Sequence, residues 1–184
     1  MSRIHTLPSI EAAPAASQPL LENAKRQLGS VPNLFRVLAN SPAALEGYFG
    51  LNSALSKGRL SAQTRERIAL AVAEANGCGY CLSAHSYLAR NLAKLDDAEI
   101  TANRNGASND PKADAAVKFA VSVVENRGHV TEAAVETVRK AGFEDGEIVE
   151  IVVHVALNTL TNYVNEVAGT EIDFPVIERR RAAA

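Results

Sequence analysis

The sequence has no tryptophan, a single methionine and only two cysteines in 184 residues. It also lacks an excess of either charge: 19 Lys and Arg stand against 21 Asp and Glu, scattered along the chain, for a formal net charge of −2. Phosphate binding wants a concentrated basic surface, so nucleic acid is not an expected partner. The short run Arg179, Arg180, Arg181 reads as a solvated tail rather than an electrostatic docking element. No segment supplies the ~20 mostly apolar residues of a bilayer span. The most apolar stretch, Ile148 to Val164, is broken by Glu150, His154, Asn158 and Asn162. The opening MSRIHTLPSIEAAPAAS has no unbroken apolar core of signal-peptide type. A soluble, cytoplasmic protein without a membrane partner is expected. In a reducing compartment, two cysteines at C-x-x-C spacing point to redox chemistry or metal more than to a structural staple. Strand-type alternation and internal repeats are missing too.

What is present is helical. Apolar residues make up 47% of the chain, enough to exclude disorder throughout. Residues 1–18 are rich in Ala, Pro and Ser and read as an extended arm. Leu20, Leu21, Ala24 and Leu28 then recur at helix spacing up to Gly29. Pro32 can open a short helix, and Ser41-Pro42 gives a cap and first-turn proline for a third, ending at Gly58. Ser61 caps a helix carrying IALAVAEAN, apolar nearly all round and hence buried on most sides. Asn76-Gly77 breaks it, and a new helix is expected from about Cys78 to about Leu95. Its buried face is predicted to hold Cys81, Ala84, His85, Leu88, Leu92 and Leu95, with Ser83, Ser86, Arg90 and Lys94 turned away. Further helices follow from Asp96 or Asp97, Asp110-Pro111, Thr131 and about Asp145, the last running to Ala168 before Gly169. The reading is an all-α domain of about nine helices over residues 19–177, with the C-x-x-C at a helix N-terminus and a flexible tail over 178–184.

The chemistry concentrates between Glu66 and His85. Cys78 falls at a helix start, where unpaired N–H groups and the helix dipole favour a thiolate. Cys81 and His85 are four residues apart, so their side chains share a face. The imidazole can take the thiol proton or stabilise the thiolate as imidazolium. Cys78 is one turn back, within reach for a disulfide. These are a nucleophilic thiol, a base and a second thiol to resolve the product. Glu66 and His85 lie ~16 and ~12 Å from the hinge at Gly77, at ~1.5 Å rise per residue. If the helices fold back on each other, the two reach comparable heights, and the carboxylate can orient the imidazole. Glu74 is the rival acid, nearer the hinge. A zinc site remains open on Cys78, Cys81 and His85, with a fourth ligand from His5, His129, His154 or an acid. A thioredoxin-type arrangement is disfavoured, because a helix rather than a strand precedes the C-x-x-C.

The run E-x11-C-x2-C-x3-H, on two helices joined by Asn-Gly, resembles the AhpD-like alkylhydroperoxidase (peroxidase-related) branch of the carboxymuconolactone decarboxylase superfamily. VPNLFRVLANSPAALEGY and NTLTNYVNEVAGTEIDFP extend the resemblance over roughly residues 20 to 177. It implies an all-helical fold, a homo-oligomer such as a trimer or hexamer, and thiol-dependent reduction of hydroperoxides without a cofactor or metal. It also implies roles: Cys81 the attacking thiolate, Cys78 the resolving thiol, His85 the base and Glu66 behind it. An external dithiol or thiol reductase would be the reducing partner. Two departures stand out. Tyr80 occupies a position where some members have histidine, and Asn165-Glu166 stands where Asn-His is common.

Other readings of the same residues stay open. Superfamily membership alone suggests a decarboxylase- or isomerase-type acid/base enzyme using His85 and Glu66. A zinc-binding or redox-sensing assembly protein is the non-enzymatic alternative. Elsewhere, His154 sits among Ile151, Val152, Val153 and Val155 and reads as a core or interface histidine. Asn158, Asn162 and Asn165 form a polar stripe read as packing or subunit contacts. His129 is expected to be exposed. Arg65 and Arg67 flank Glu66 and either pair with acids or tune it.

Overall fold

The computed structural model describes residues 2–180, and the end of the tail, 181–184, lies outside the described residues. Nine α-helices, and no strands, make up the regular structure of the described residues. They are α1 (Gln18–Leu28), α2 (Asn33–Leu38), α3 (Pro42–Ser56), α4 (Ala62–Ala75), α5 (Gly79–Asn91), α6 (Asp97–Arg104), α7 (Pro111–Glu125), α8 (Glu132–Lys140) and α9 (Asp145–Ala168). No helix among the described residues is long and apolar enough to cross a membrane.

The helix starts are set by local chemistry. Ser41, Ser61, Asp96, Asp110 and Thr131 each accept a backbone N–H of the first turn that follows, satisfying donors that have no intrahelical partner. Glu144 and Glu147 close a capping box at the start of α9. Gly29 and Gly169 end α1 and α9 in the left-handed conformation, as helix C-termini often do.

Helix α4 is the hub. It packs against α5, α6, α7 and α9, and its Ile68, Leu70, Val72 and Ala73 are fully buried. That is the outcome expected of a helix apolar nearly all round. One core joins α4 to α7 and α9 through Phe119, Val123, Ile148 and Ile151. A second gathers Leu21, Leu34, Phe35 and Leu45 around both cysteines. Leu7 and Ala13 of the N-terminal segment are buried in that second core, and Ser17 Oγ donates to the Ala39 carbonyl.

The face expected for α5 needs correction. The helix ends at Asn91, and Leu92 is 69% exposed. Ser83 and Ser86, expected on the far side, are buried. The reason is the C-terminal segment, which lies against that side of α5. Ile177 donates its N–H to Ser83 Oγ, and Phe174 packs edge-on against Tyr80. Helix α5 is thus covered on two sides.

Candidate active site

The site begins at the break between α4 and α5. Gly77 takes φ +68°, a conformation in which a Cβ is strained. The turn lets the chain reverse so that α5 runs back along α4. Cys78 is the N-cap of α5, and its Sγ accepts the Cys81 N–H at 3.3 Å. Both thiols are unpaired and buried.

The reversal brings Glu66 to His85. Glu66 Oε2 lies 2.9 Å from His85 Nδ1, both side chains about one-fifth exposed. The rival acid is engaged elsewhere: Glu74 binds Arg104 Nε at 2.7 Å and the Arg180 N–H at 2.9 Å. The two arginines flanking Glu66 diverge. Arg67 turns away into a buried ion pair with Glu99 at 2.6 Å, while Arg65 donates to the Leu60 carbonyl and lines the site.

Cys81, His85 and Glu66 share the wall of a cavity of about 110 Å³ with Tyr48, Arg65 and His154. Cys78 lies behind Cys81, off that wall. No hydrogen bond joins His85 to Cys81 among the described residues, so their interaction is by charge across the cavity. The cavity that both line is large enough to hold a water or a reactant oxygen.

The electrostatics separate the two thiols. A hydrogen bond to Cys81 and burial push the Cys78 thiol up. The same bond, given by Cys78, holds Cys81 down; burial opposes it, and His85, Asn165 and Asn162 reinforce it. Burial works against the His85 imidazolium, but the Glu66 carboxylate and the Cys81 sulfur outweigh it and raise the imidazole's pKa. The charge state the surroundings favour is therefore a Cys81 thiolate, a Cys78 thiol and a protonated His85.

Tyr80 Oη accepts the Leu34 N–H at 3.2 Å. Burial pushes its hydroxyl well above the ordinary range, so it is not a base near neutral pH. His154, expected in a core or interface, is buried and also lines the cavity. Burial, helped by Arg65, pushes its pKa down to about 4, so it stays neutral. His129 is exposed.

Asn165 is the residue that the stripe reading missed. Its Nδ2 donates to Cys81 Sγ at 3.3 Å. Asn162 accepts from Asn76 Nδ2 at 2.9 Å, and Asn158 lines the cavity. Spacing placed all three on one face of α9. It carried no signal of which neighbour that face would meet. Among the described residues no group of three or more His, Cys, Asp and Glu is arranged to hold a metal ion.

Residues 42–108 match the carboxymuconolactone decarboxylase family. Among solved structures, an AhpD-core, uncharacterized peroxidase-related protein from Ralstonia eutropha JMP134 is 28% identical, with a TM-score of 0.83 over 94% of this chain and 92% of that one. An uncharacterized peroxidase-related protein from Silicibacter sp. TM1040 is 27% identical, with a TM-score of 0.77 over 86% of this chain and 85% of that one. A debrominase in complex with 2,3,4-tribromopyrrole shares the fold at 18% identity, with a TM-score of 0.78 over 94% and 92% of the two chains. A comparison with curated proteins finds no match.

Proposed function

Because this chain carries a carboxymuconolactone decarboxylase family segment and the AhpD-like fold over most of its length, we propose that it is a thiol-dependent peroxidase acting on hydroperoxides. The observation that carries the reading is the placement of the two thiols: Cys81 lies on the cavity wall with the Glu66–His85 pair and 3.3 Å from the Asn165 amide, and Cys78 lies behind it with its Sγ on the Cys81 N–H.

The Cys81 thiolate attacks the terminal oxygen of R–O–OH. An S–O bond forms, the O–O bond breaks and RO⁻ leaves. His85, protonated and held by Glu66, gives its proton to RO⁻, releasing ROH and leaving Cys81 as sulfenic acid. The Cys78 thiol then condenses with the sulfenic acid: an S–S bond forms and water leaves. An external dithiol reduces the disulfide by two successive exchanges and is itself oxidised. Glu66 acts through His85, fixing the ring and supporting its charge.

The protein is further read as a homo-oligomer. Val149, Leu160, Tyr163 and Val167 on α9 are large apolar side chains left in solvent, and continuous apolar patches of that kind mark association surfaces.

The test is thiol titration before and after one equivalent of an organic hydroperoxide, with mass spectrometry for a Cys78–Cys81 disulfide. Loss of two thiols with that linkage is expected in the wild type, and Cys81→Ser should abolish dithiol-dependent peroxide consumption. Equal turnover in wild type and Cys81→Ser would overturn the reading. Activity on a cyclic lactone that survives loss of both cysteines would replace it with acid/base chemistry at His85 and Glu66.

A further inference from the structure

We propose that Asn165 is a catalytic residue, its side-chain amide being a fixed N–H donor that holds the Cys81 sulfur in its charged form. The word catalytic rests on the thiol-peroxidase reading above; the donor role does not.

Asn165 lacks a full set of partners. The residue is 2% exposed, its Oδ1 has no hydrogen-bond partner, and the Cys81 sulfur at 3.3 Å is the acceptor for its Nδ2. A buried amide whose donor meets only a neutral thiol is poorly compensated, because neutral sulfur is a weak acceptor. The same geometry against a thiolate is a charge-assisted hydrogen bond, roughly twice as strong. The position therefore makes physical sense when Cys81 is ionised.

Its placement is rigid. The Asn165 carbonyl accepts both the Gly169 and the Thr170 N–H at the end of α9, so the backbone beneath the amide is fixed. Asn162, one turn earlier, gives its Oδ1 to Asn76 at the α4–α5 hinge. Its own amide nitrogen is buried with no hydrogen-bond partner, and it also favours the charged sulfur. Helix α9 thus brings amide dipoles to Cys81 from a helix other than its own, in a buried setting where fixed dipoles act strongly. The titratable and charged groups around the sulfur are Cys78, Tyr80 and His85 from α5 and its cap, Tyr48 from α3, Arg65 and Glu66 from α4 and His154 from α9. Of these, protonated His85 is the cation that acts on the sulfur, while Arg65 is turned to the Leu60 carbonyl and His154 stays neutral, so a loss of Asn165 is not made up by another charge.

The measurement is the pH dependence of iodoacetamide modification at Cys81, read at the peptide level by mass spectrometry, in wild type and Asn165→Leu. The midpoint should rise by about one pH unit, the size expected for one hydrogen bond to a charged group. At pH values below the wild-type midpoint, kcat/KM for peroxide should fall by about tenfold. If Asn165→Leu does not fold, the side-chain amide ¹⁵N resonance of Asn165 in the wild type should titrate with the Cys81 midpoint, and should be flat in Cys81→Ser. A midpoint unchanged in Asn165→Leu, or an amide resonance insensitive to Cys81 ionisation, overturns the donor role. A shifted midpoint in a protein that consumes no peroxide leaves the donor role standing and removes the peroxidase reading instead.

Discussion

Cys78 and Cys81 are the same residue type, one helical turn apart, yet their surroundings drive their thiols in opposite directions. His85 is driven with Cys81, towards the charged form. The pH consequences have definite signs. Cys81 is lowered, so in the proposed peroxidase reaction attack should grow as pH rises through its depressed midpoint. His85 is raised, so in that reaction proton donation to the leaving alkoxide should fail as pH rises through its elevated value. A bell-shaped kcat/KM profile should result. Glu66→Gln removes the carboxylate that raises His85, and should draw the alkaline limb to lower pH while leaving the acid limb nearly in place. Steady-state peroxide kinetics across pH 5–10 check this; an alkaline limb that does not move would show that Glu66 plays no part in the charge of His85. Glu66 was legible in the sequence because helix rise is a fixed number, so equal distances from a hinge imply equal heights. Asn165 was not, because periodicity identifies a face without identifying what the face meets.

Among elements, the pairing of α4 with α6 carries a buried ion pair. Arg67 and Glu99 form it, and Glu99 also accepts from Asn103, Ser108 and the Asn109 N–H. Burial opposes its charge, yet those donors overcome the cost and hold its carboxyl down at about 2. A carboxylate with a depressed pKa stabilises the fold fully above its unfolded value and loses that contribution as pH falls toward the folded one. Glu99→Ala leaves Arg67 buried without its counter-charge and should cost about 3 kcal/mol, read as a lower urea midpoint at pH 7. The difference from wild type should shrink as pH drops from about 4.3 towards 2. A second element-scale test concerns the junction before α4. Glu150 of α9 accepts the Arg59 and Leu60 N–H groups, and a Cβ on Gly58 would come within 2.5 Å of its carboxylate. Gly58→Ala should therefore expel Glu150 and destabilise by about 1–2 kcal/mol, whereas Gly47→Ala, which meets nothing within 4 Å, should not. The bounds of α9 were readable because capping chemistry is local. The far face of α5 was misread because its cover, residues 172–177, arrives from 94 positions away in sequence, as Ile177 does at Ser83.

At the scale of the whole molecule, the two faces of α9 have different tasks. Its inner face carries Asn158, Asn162 and Asn165 towards the site. Its outer face repeats apolar residues at Val149, Val153, Ala156, Leu160, Tyr163 and Val167, a spacing of alternating four and three. Val149, Tyr163 and Val167 are each 60% exposed or slightly more. A 3.5-residue apolar repeat on a 24-residue helix is the pattern of a helix-pairing seam. An exposed seam of this length disfavours a lone protomer in water. Placing a carboxylate in its middle should therefore break assembly without touching the inner face. Light scattering coupled to gel filtration should give the wild type a multiple of 19.5 kDa, and Leu160→Glu/Tyr163→Glu a mass near 19.5 kDa with helical circular dichroism retained. A monomeric wild type, or an unchanged mass in the double variant, would sink the assembly reading. If assembly also steadies α9, the monomeric variant should show a higher Cys81 alkylation midpoint than the wild type, because the amide of Asn165 is then less firmly held against the sulfur.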